Sequence, residues 1–178
     1  MEKMHYPPQN QDKDKSADLP HSARSGKWGQ IDGVLISPRQ RLFDDRGGII
    51  KMLRKDDPEF KQFGEIYFSQ VYPSVVKAWH LHKEMTLNYL LLQGSIRLVL
   101  HDARHGSKTE GQFQEIVLHE QASSLVQIPP GIWNGFKGLG TVPSVVANCA
   151  THPHSKEEID YLDPYSDQIP YDWSQRHG

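Results

Sequence analysis

Seven runs of five to eight residues, at 65–72, 75–82, 88–93, 96–101, 113–118, 124–128 and 144–148, are rich in Val, Ile, Leu, Tyr and Phe. Several alternate apolar with polar positions, and Gly, Pro and Asp cluster between them. Residues of this kind suit the pleated, half-buried surface of a sheet. No stretch carries the sustained 3.6-residue apolar period of a long amphipathic helix, and the best short helix candidates are 57–63 and 155–161. Many short strands without a strand–helix–strand rhythm predict an all-β chain, an antiparallel barrel or jelly roll with short peripheral helices.

At 178 residues and a formal net charge of −2, the chain has the size of one domain. Residues 1–25 are mostly Gln, Asp, Lys, Ser and Pro and read as a flexible N-terminal segment, leaving 26–178 as a single folded domain. Lys and Arg are scattered, so there is no electrostatic footprint for nucleic acid or an anionic membrane, and a small-molecule partner is favoured. The first residues hold no apolar run suited to a signal peptide or a span, and Cys149 has no second cysteine to pair with. The expected location is the cytoplasm. Cys149 sits in an apolar run and reads as an inert buried thiol.

Chemistry concentrates in Lys77-Ala-Trp-His80-Leu-His82. On a strand His80 and His82 share one face and Trp79 and Leu81 the other. Lys77 is an odd number of positions from His80 and belongs on the opposite face unless a bulge intervenes. A jelly roll with His-x-His on one strand and Pro-Pro-Gly131 before a later one is similar to a cupin. Metal-binding cupins add a Glu and a further His, and those positions are Leu87 and Asn134 here. Glu84 is a possible third ligand, but three ligands along one edge seldom enclose an ion, so no metal or other cofactor is expected.

Seven further pieces, in order, resemble the dTDP-4-dehydrorhamnose 3,5-epimerase family of metal-independent cupins. They are Asp44-Asp-Arg46-Gly47, Phe68-Ser-Gln70, Lys77-Ala-Trp-His80, Leu92-Gln-Gly94, Asp102 to Gly111 with Ser107 and Thr109, Ile128-Pro-Pro-Gly131, and Gly135-Phe136. The resemblance covers about Arg41 to Trp173. It implies a homodimer acting on a nucleotide-activated 4-keto-6-deoxy sugar such as a dTDP-sugar, in polysaccharide biosynthesis. Protons are removed beside the C4 ketone and returned on the opposite face.

The resemblance places His80 as base, oriented by Asp163 or, with slightly different spacing, Asp167. Arg46, Gln70, Lys77 and Asn148 fall at substrate-binding positions, with Arg46 on an early strand reaching toward a partner's pocket. The family's acidic Tyr corresponds to Asn148, which cannot deliver a proton at neutral pH, and its late His corresponds to Asn134, which can still donate to an oxyanion. Tyr89 and Tyr161 are the aligned tyrosines that could substitute for that acid, although a strand or helix Tyr more often serves core packing. Trp79, Trp133 and Trp173 read as packing, in the core or at a dimer contact. His101, His105, His119, His152 and His154 read as turn or outer-segment residues without function. His82 resembles the second histidine of the dTDP-sugar 3,4-ketoisomerases, where two rings move protons on one face. The alternatives are therefore an epimerase with His82 as relay, a ketoisomerase, and a cupin that binds the sugar nucleotide without turnover.

Overall fold

The computed structural model describes residues 27–174, so the expected flexible segment at 1–25 lies outside the described residues. Thirteen strands follow in chain order: β1 (Lys27–Trp28), β2 (Leu35–Pro38), β3 (Arg41–Asp44), β4 (Gly47–Ile50), β5 (Glu65–Val71), β6 (Val76–His82), β7 (Leu87–Gln93), β8 (Ser95–Asp102), β9 (Gln112–His119), β10 (Ser124–Ile128), β11 (Ile132–Leu139), β12 (Ser144–Ala150) and β13 (Ile159–Tyr161). A six-stranded sheet has the order β1-β9-β8-β11-β6-β13, and a five-stranded sheet has the order β2-β10-β7-β12-β5. Strands β3 and β4 form a separate hairpin. Every pair is antiparallel except the short β1–β9 contact. This is the expected cupin jelly roll.

The seven sequence runs are β5 to β10 and β12. The two short helices are not formed. At 57–63 the Asp57 carboxylate accepts from the Arg54 amide, Phe60 N–H closes one turn on Asp57, and the chain is then drawn off by Gln62 Nε2 bonding Thr151 O at 2.8 Å. At 155–161 one turn forms before Ile159–Tyr161 pairs with β6. At 155–161 the partner strand β6 satisfies backbone groups that a two-turn helix would leave open. Among the described residues no helix is long and apolar enough to cross a membrane.

Two apolar clusters hold the sheets. The first fills the space between them, with Leu87 and Leu91 of β7, Leu98 and Leu100 of β8, and Phe136 of β11. The second lies on the outer face of the six-stranded sheet, where Trp79 is sealed by Ile169, Tyr171 and Trp173 of the C-terminal tail. The Trp79 and Trp173 rings pack 5.0 Å apart. Core packing is thus the role of both tryptophans, and Trp79 anchors β6 from behind.

The Asp102–Gly111 hairpin motif is also structural. Asp102 is fully buried and accepts from Arg104 Nε at 2.8 Å, Ser107 Oγ at 2.7 Å and Thr109 Oγ1 at 2.6 Å. Burial alone would raise this carboxyl, but these donors outweigh it and hold it far below the usual carboxylate range. Cys149 is half-buried on β12, and burial pushes its thiol up, as suits an inert side chain.

Candidate active site

Strand β6 is gripped on both sides. Asn134 of β11 lies opposite His80, and Ile159 and Tyr161 of β13 lie opposite His82 and His80. The Gly131 amide donates to the His82 carbonyl at 2.8 Å, and the Asn134 side-chain amide to the His80 carbonyl at 2.9 Å. Gly131 has φ of +80°, a turn conformation that a side chain would oppose. The backbone carrying both histidines is therefore fixed at both ends of the His-x-His segment.

Pairing of β11 with β6 slips between Asn134 and Phe136, so that two positions on β11 span three on β6. Gly135 sits at the slip, where a Cβ would fall 2.3 Å from the Ala78 Cβ. The irregularity resets the alternation, and Lys77 faces the same space as His80 and His82 despite its odd offset.

That space is a cavity of about 370 Å³ between the sheets. The six-stranded sheet contributes Lys77, His80 and His82, with Phe136, Ile159 and Tyr161; the five-stranded sheet contributes Glu65, Tyr67 and Ser69 from β5 and Tyr89 from β7. Met85 and His154 complete it from loops. Lys77 Nζ donates to Ser69 Oγ at 2.6 Å, tying the two walls together.

The carboxylate partner falls on the second histidine. His82 Nδ1 lies 2.6 Å from Glu158 Oε2, while Glu158 Oε1 accepts the amides of Met85 at 2.8 Å and Glu84 at 3.1 Å. Burial would raise the Glu158 carboxyl, yet the His82 bond and these two amides overcome it and keep the group below its ordinary value. A charged Glu158 fixes the proton on Nδ1 and leaves Nε2 of His82 as the atom for chemistry.

His80 meets the ring of Tyr161 edge-on at 5.4 Å. Burial, with the nearby His82 and Lys77, pushes its pKa down to about 4. The unfolded chain, with a histidine near 6.5, therefore takes this proton more readily than the folded protein. His80 costs nothing above about pH 6.5 and destabilises the fold progressively as the pH falls toward 4. Urea unfolding between pH 7 and 4.5 should show a steeper loss of stability for the natural protein than for His80→Gln; parallel losses would contradict the assignment.

Other expected site residues lie elsewhere. Asp163 is exposed and caps a turn, accepting from the Tyr165 amide at 2.8 Å, so it is not the partner of His80; Asp167 is exposed as well. Gln70 lies on the outward face of β5, because the alternation that turns Tyr67 and Ser69 inward turns Gln70 out. Arg46 is at the tip of the β3–β4 hairpin, paired with Asp44 at 2.5 Å and outside this chain's cavity.

Asn134 and Asn148 stand behind the wall rather than in it. Asn134 spends its amide on the His80 carbonyl and on the Tyr89 hydroxyl, 3.2 Å away. Asn148 accepts from the Asn88 amide and donates to the Tyr67 hydroxyl, both at 2.9 Å. Glu84 is exposed, and among the described residues no three His, Cys, Asp or Glu side chains are placed to share an ion.

Tyr89 and Tyr161 line the space instead of serving packing alone, and His154 is on its wall rather than idle. Glu65, Ser69, Met85 and Ile159 also line it and escaped sequence reasoning as site residues. Tyr67 went unremarked as well. A signal for it existed: on β5 the polar Glu65 and Ser69 share a face with Tyr67, while Ile66 and Phe68 take the other. That is the pattern of a strand whose inner face lines a polar cavity.

The comparisons with known proteins agree with this geometry. The family model described as dTDP-4-dehydrorhamnose 3,5-epimerase matches residues 29–177. The chain is 36% identical over 144 residues to a probable low-salt glycan biosynthesis epimerase, Agl13, of Haloferax volcanii, covering 80% of this chain and 89% of that protein. It is 30% identical over 146 residues to the spore coat polysaccharide biosynthesis protein SpsL of Bacillus subtilis, covering 81% and 97%. A dTDP sugar isomerase from Desulfovibrio desulfuricans G20 superposes with a TM-score of 0.78 at 38% identity, covering 80% of this chain and 92% of that one. With a jelly roll, a histidine-bearing strand facing an inter-sheet cavity, and a family match across nearly all the described residues, the chain belongs to the dTDP-4-dehydrorhamnose 3,5-epimerase family.

Proposed function

We propose that this chain epimerises a nucleotide-activated 4-keto-6-deoxy sugar, of the dTDP-linked kind, at a carbon beside the C4 ketone. One observation carries the reading: histidines and tyrosine hydroxyls line the same cavity from opposite sheets. Inversion at carbon needs a proton acceptor on one side and a donor on the other. His80, neutral near pH 7, takes the proton. His82, two positions along the strand and held by Glu158, receives it in turn. Lys77 supplies the positive charge that balances the enolate oxygen.

A ketoisomerase is the second reading, favoured by the two histidines on one strand face. Incubation with a dTDP-4-keto-6-deoxyhexose, followed by NMR of the product, separates the alternatives. The epimerase yields a 4-keto sugar with one inverted centre, the ketoisomerase a 3-keto sugar, and a binding protein neither. The first outcome is expected, and either of the others contradicts it.

The reading extends to a cytoplasmic homodimer. Strand β5 ends the five-stranded sheet and exposes Ile66 (52%) and Phe68 (62%), while the β3–β4 hairpin carries Phe43 (65% exposed) and Arg46. An apolar free edge of this kind is normally covered. A second copy would cover it and give Arg46 a cavity to reach. Light scattering at micromolar concentration should report a dimer, and Phe68→Glu a monomer; a monomeric natural protein would contradict the proposal.

A further inference from the structure

We propose that Tyr67 is the acid that delivers a proton to the sugar carbon from the side opposite the histidines. The assignment rests on the epimerase reading above and names the residue that completes it.

The five-stranded sheet brings few proton donors to the cavity. Tyr89 is fully enclosed, and its hydroxyl is engaged with Asn134 Oδ1 at 3.2 Å. Tyr161 is on β13, next to β6, and packs against His80, so it belongs to the histidine wall. Asn148 has both ends of its amide bonded. His154 hangs exposed from the loop after β12. Tyr67 remains. Its hydroxyl points inward on β5, and at 36% exposure the side chain retains the solvent access needed to regain a proton after each turnover.

The surroundings of the hydroxyl suit an acid. Asn148 lies directly across from Tyr67 on β12, and its Nδ2 donates to the Tyr67 oxygen at 2.9 Å. Tyr89, across from Asn148 on its other side, is also in hydrogen-bond contact with Tyr67. The Asn148 donor aimed at the phenol oxygen stabilises the phenolate left behind when the proton departs. Burial, together with the charge of Glu65, holds Tyr67 protonated at rest.

The step balances without a cofactor. The histidine takes the proton from the carbon beside the ketone, and the C–H electron pair becomes the enolate double bond as charge moves to O4. As that charge returns, the same carbon takes the Tyr67 hydroxyl proton on its other face. The phenolate and the imidazolium then exchange with solvent.

Tyr67→Phe tests the assignment in deuterated water with a dTDP-4-keto-6-deoxyhexose, scoring label in recovered substrate separately from label in the inverted product. Removal of the acid alone should lower inversion about 10²–10⁴-fold and leave washout into unchanged substrate within about tenfold of the natural rate. Tyr89→Phe, which removes a hydroxyl in contact with both Tyr67 and Asn134 but leaves the Tyr67 proton in place, should slow inversion less. Melting temperature and dTDP affinity, expected to match the natural protein, show that the variant is folded. Inversion persisting in Tyr67→Phe would overturn the proposal, as would equal loss of washout and inversion in a folded variant, or a larger effect from Tyr89→Phe. A natural protein showing neither washout nor inversion would instead overturn the epimerase reading itself.

Discussion

His80→Ala should lower turnover of a dTDP-4-keto-6-deoxyhexose by about 10²–10⁴-fold, the usual contribution of a positioned general base. Its imidazole is the ring held neutral by burial beside His82 and Lys77, and it faces the cavity from a strand clamped by β11 and β13. Glu158→Gln should act differently. It leaves His80 in place but removes the charge that fixes His82, so the loss should be smaller and fall on kcat more than on KM. Steady-state kinetics of the two variants and their combination separates the roles. Two residues acting in one proton path give a double variant little worse than His80→Ala. A Glu158→Gln enzyme indistinguishable from the natural protein would remove His82 from the path.

The second large effect belongs to Lys77. Its ammonium is held by Ser69 Oγ at 2.6 Å and the Gln70 carbonyl at 3.3 Å, and it lies in a cavity where few other cations enter. Loss of one preorganised group facing a developing oxyanion costs about 10²–10³ in kcat, and that is the expectation for Lys77→Met. The variant has a second signature. The Lys77 charge is one cause of the depressed His80 pKa, after burial and His82, so its removal should raise the His80 pKa from about 4 toward 6.5. NMR titration of the ring reads this directly. A lower or unchanged value would contradict the arrangement.

The seven longer strands β5 to β10 and β12 were legible because alternation and turn residues are local signals, whereas the short β1 to β4 and β13 were not read as strands from them. β10, for example, occupies 124–128 as the sequence indicates. β11 was harder: Asn134-Gly135-Phe136 and Gly138 resemble a turn, and only pairing with β8 and β6 on both sides keeps them extended. The site divided in the same way. His80 and His82 share a face by strand period alone, whereas Lys77 joins them through a slip in register that no single strand can announce. The partner carboxylate was misplaced for a related reason. Asp163 has the family spacing, but the β13 ladder sets Ile159 opposite His82 and so brings Glu158, not Asp163, to a histidine. Asn148 looked like a lost acid when β12 was read alone. Only the register of β12 with β5 sets it against Tyr67.

Proton removal by the β6 histidines is the central claim, and solvent isotope uptake tests it most directly. Incubated in deuterated water with a dTDP-4-keto-6-deoxyhexose, the natural protein should place deuterium at C3 or C5, detected by mass and NMR, and His80→Ala should place almost none. No uptake with the natural protein, or undiminished uptake with His80→Ala, would contradict the account.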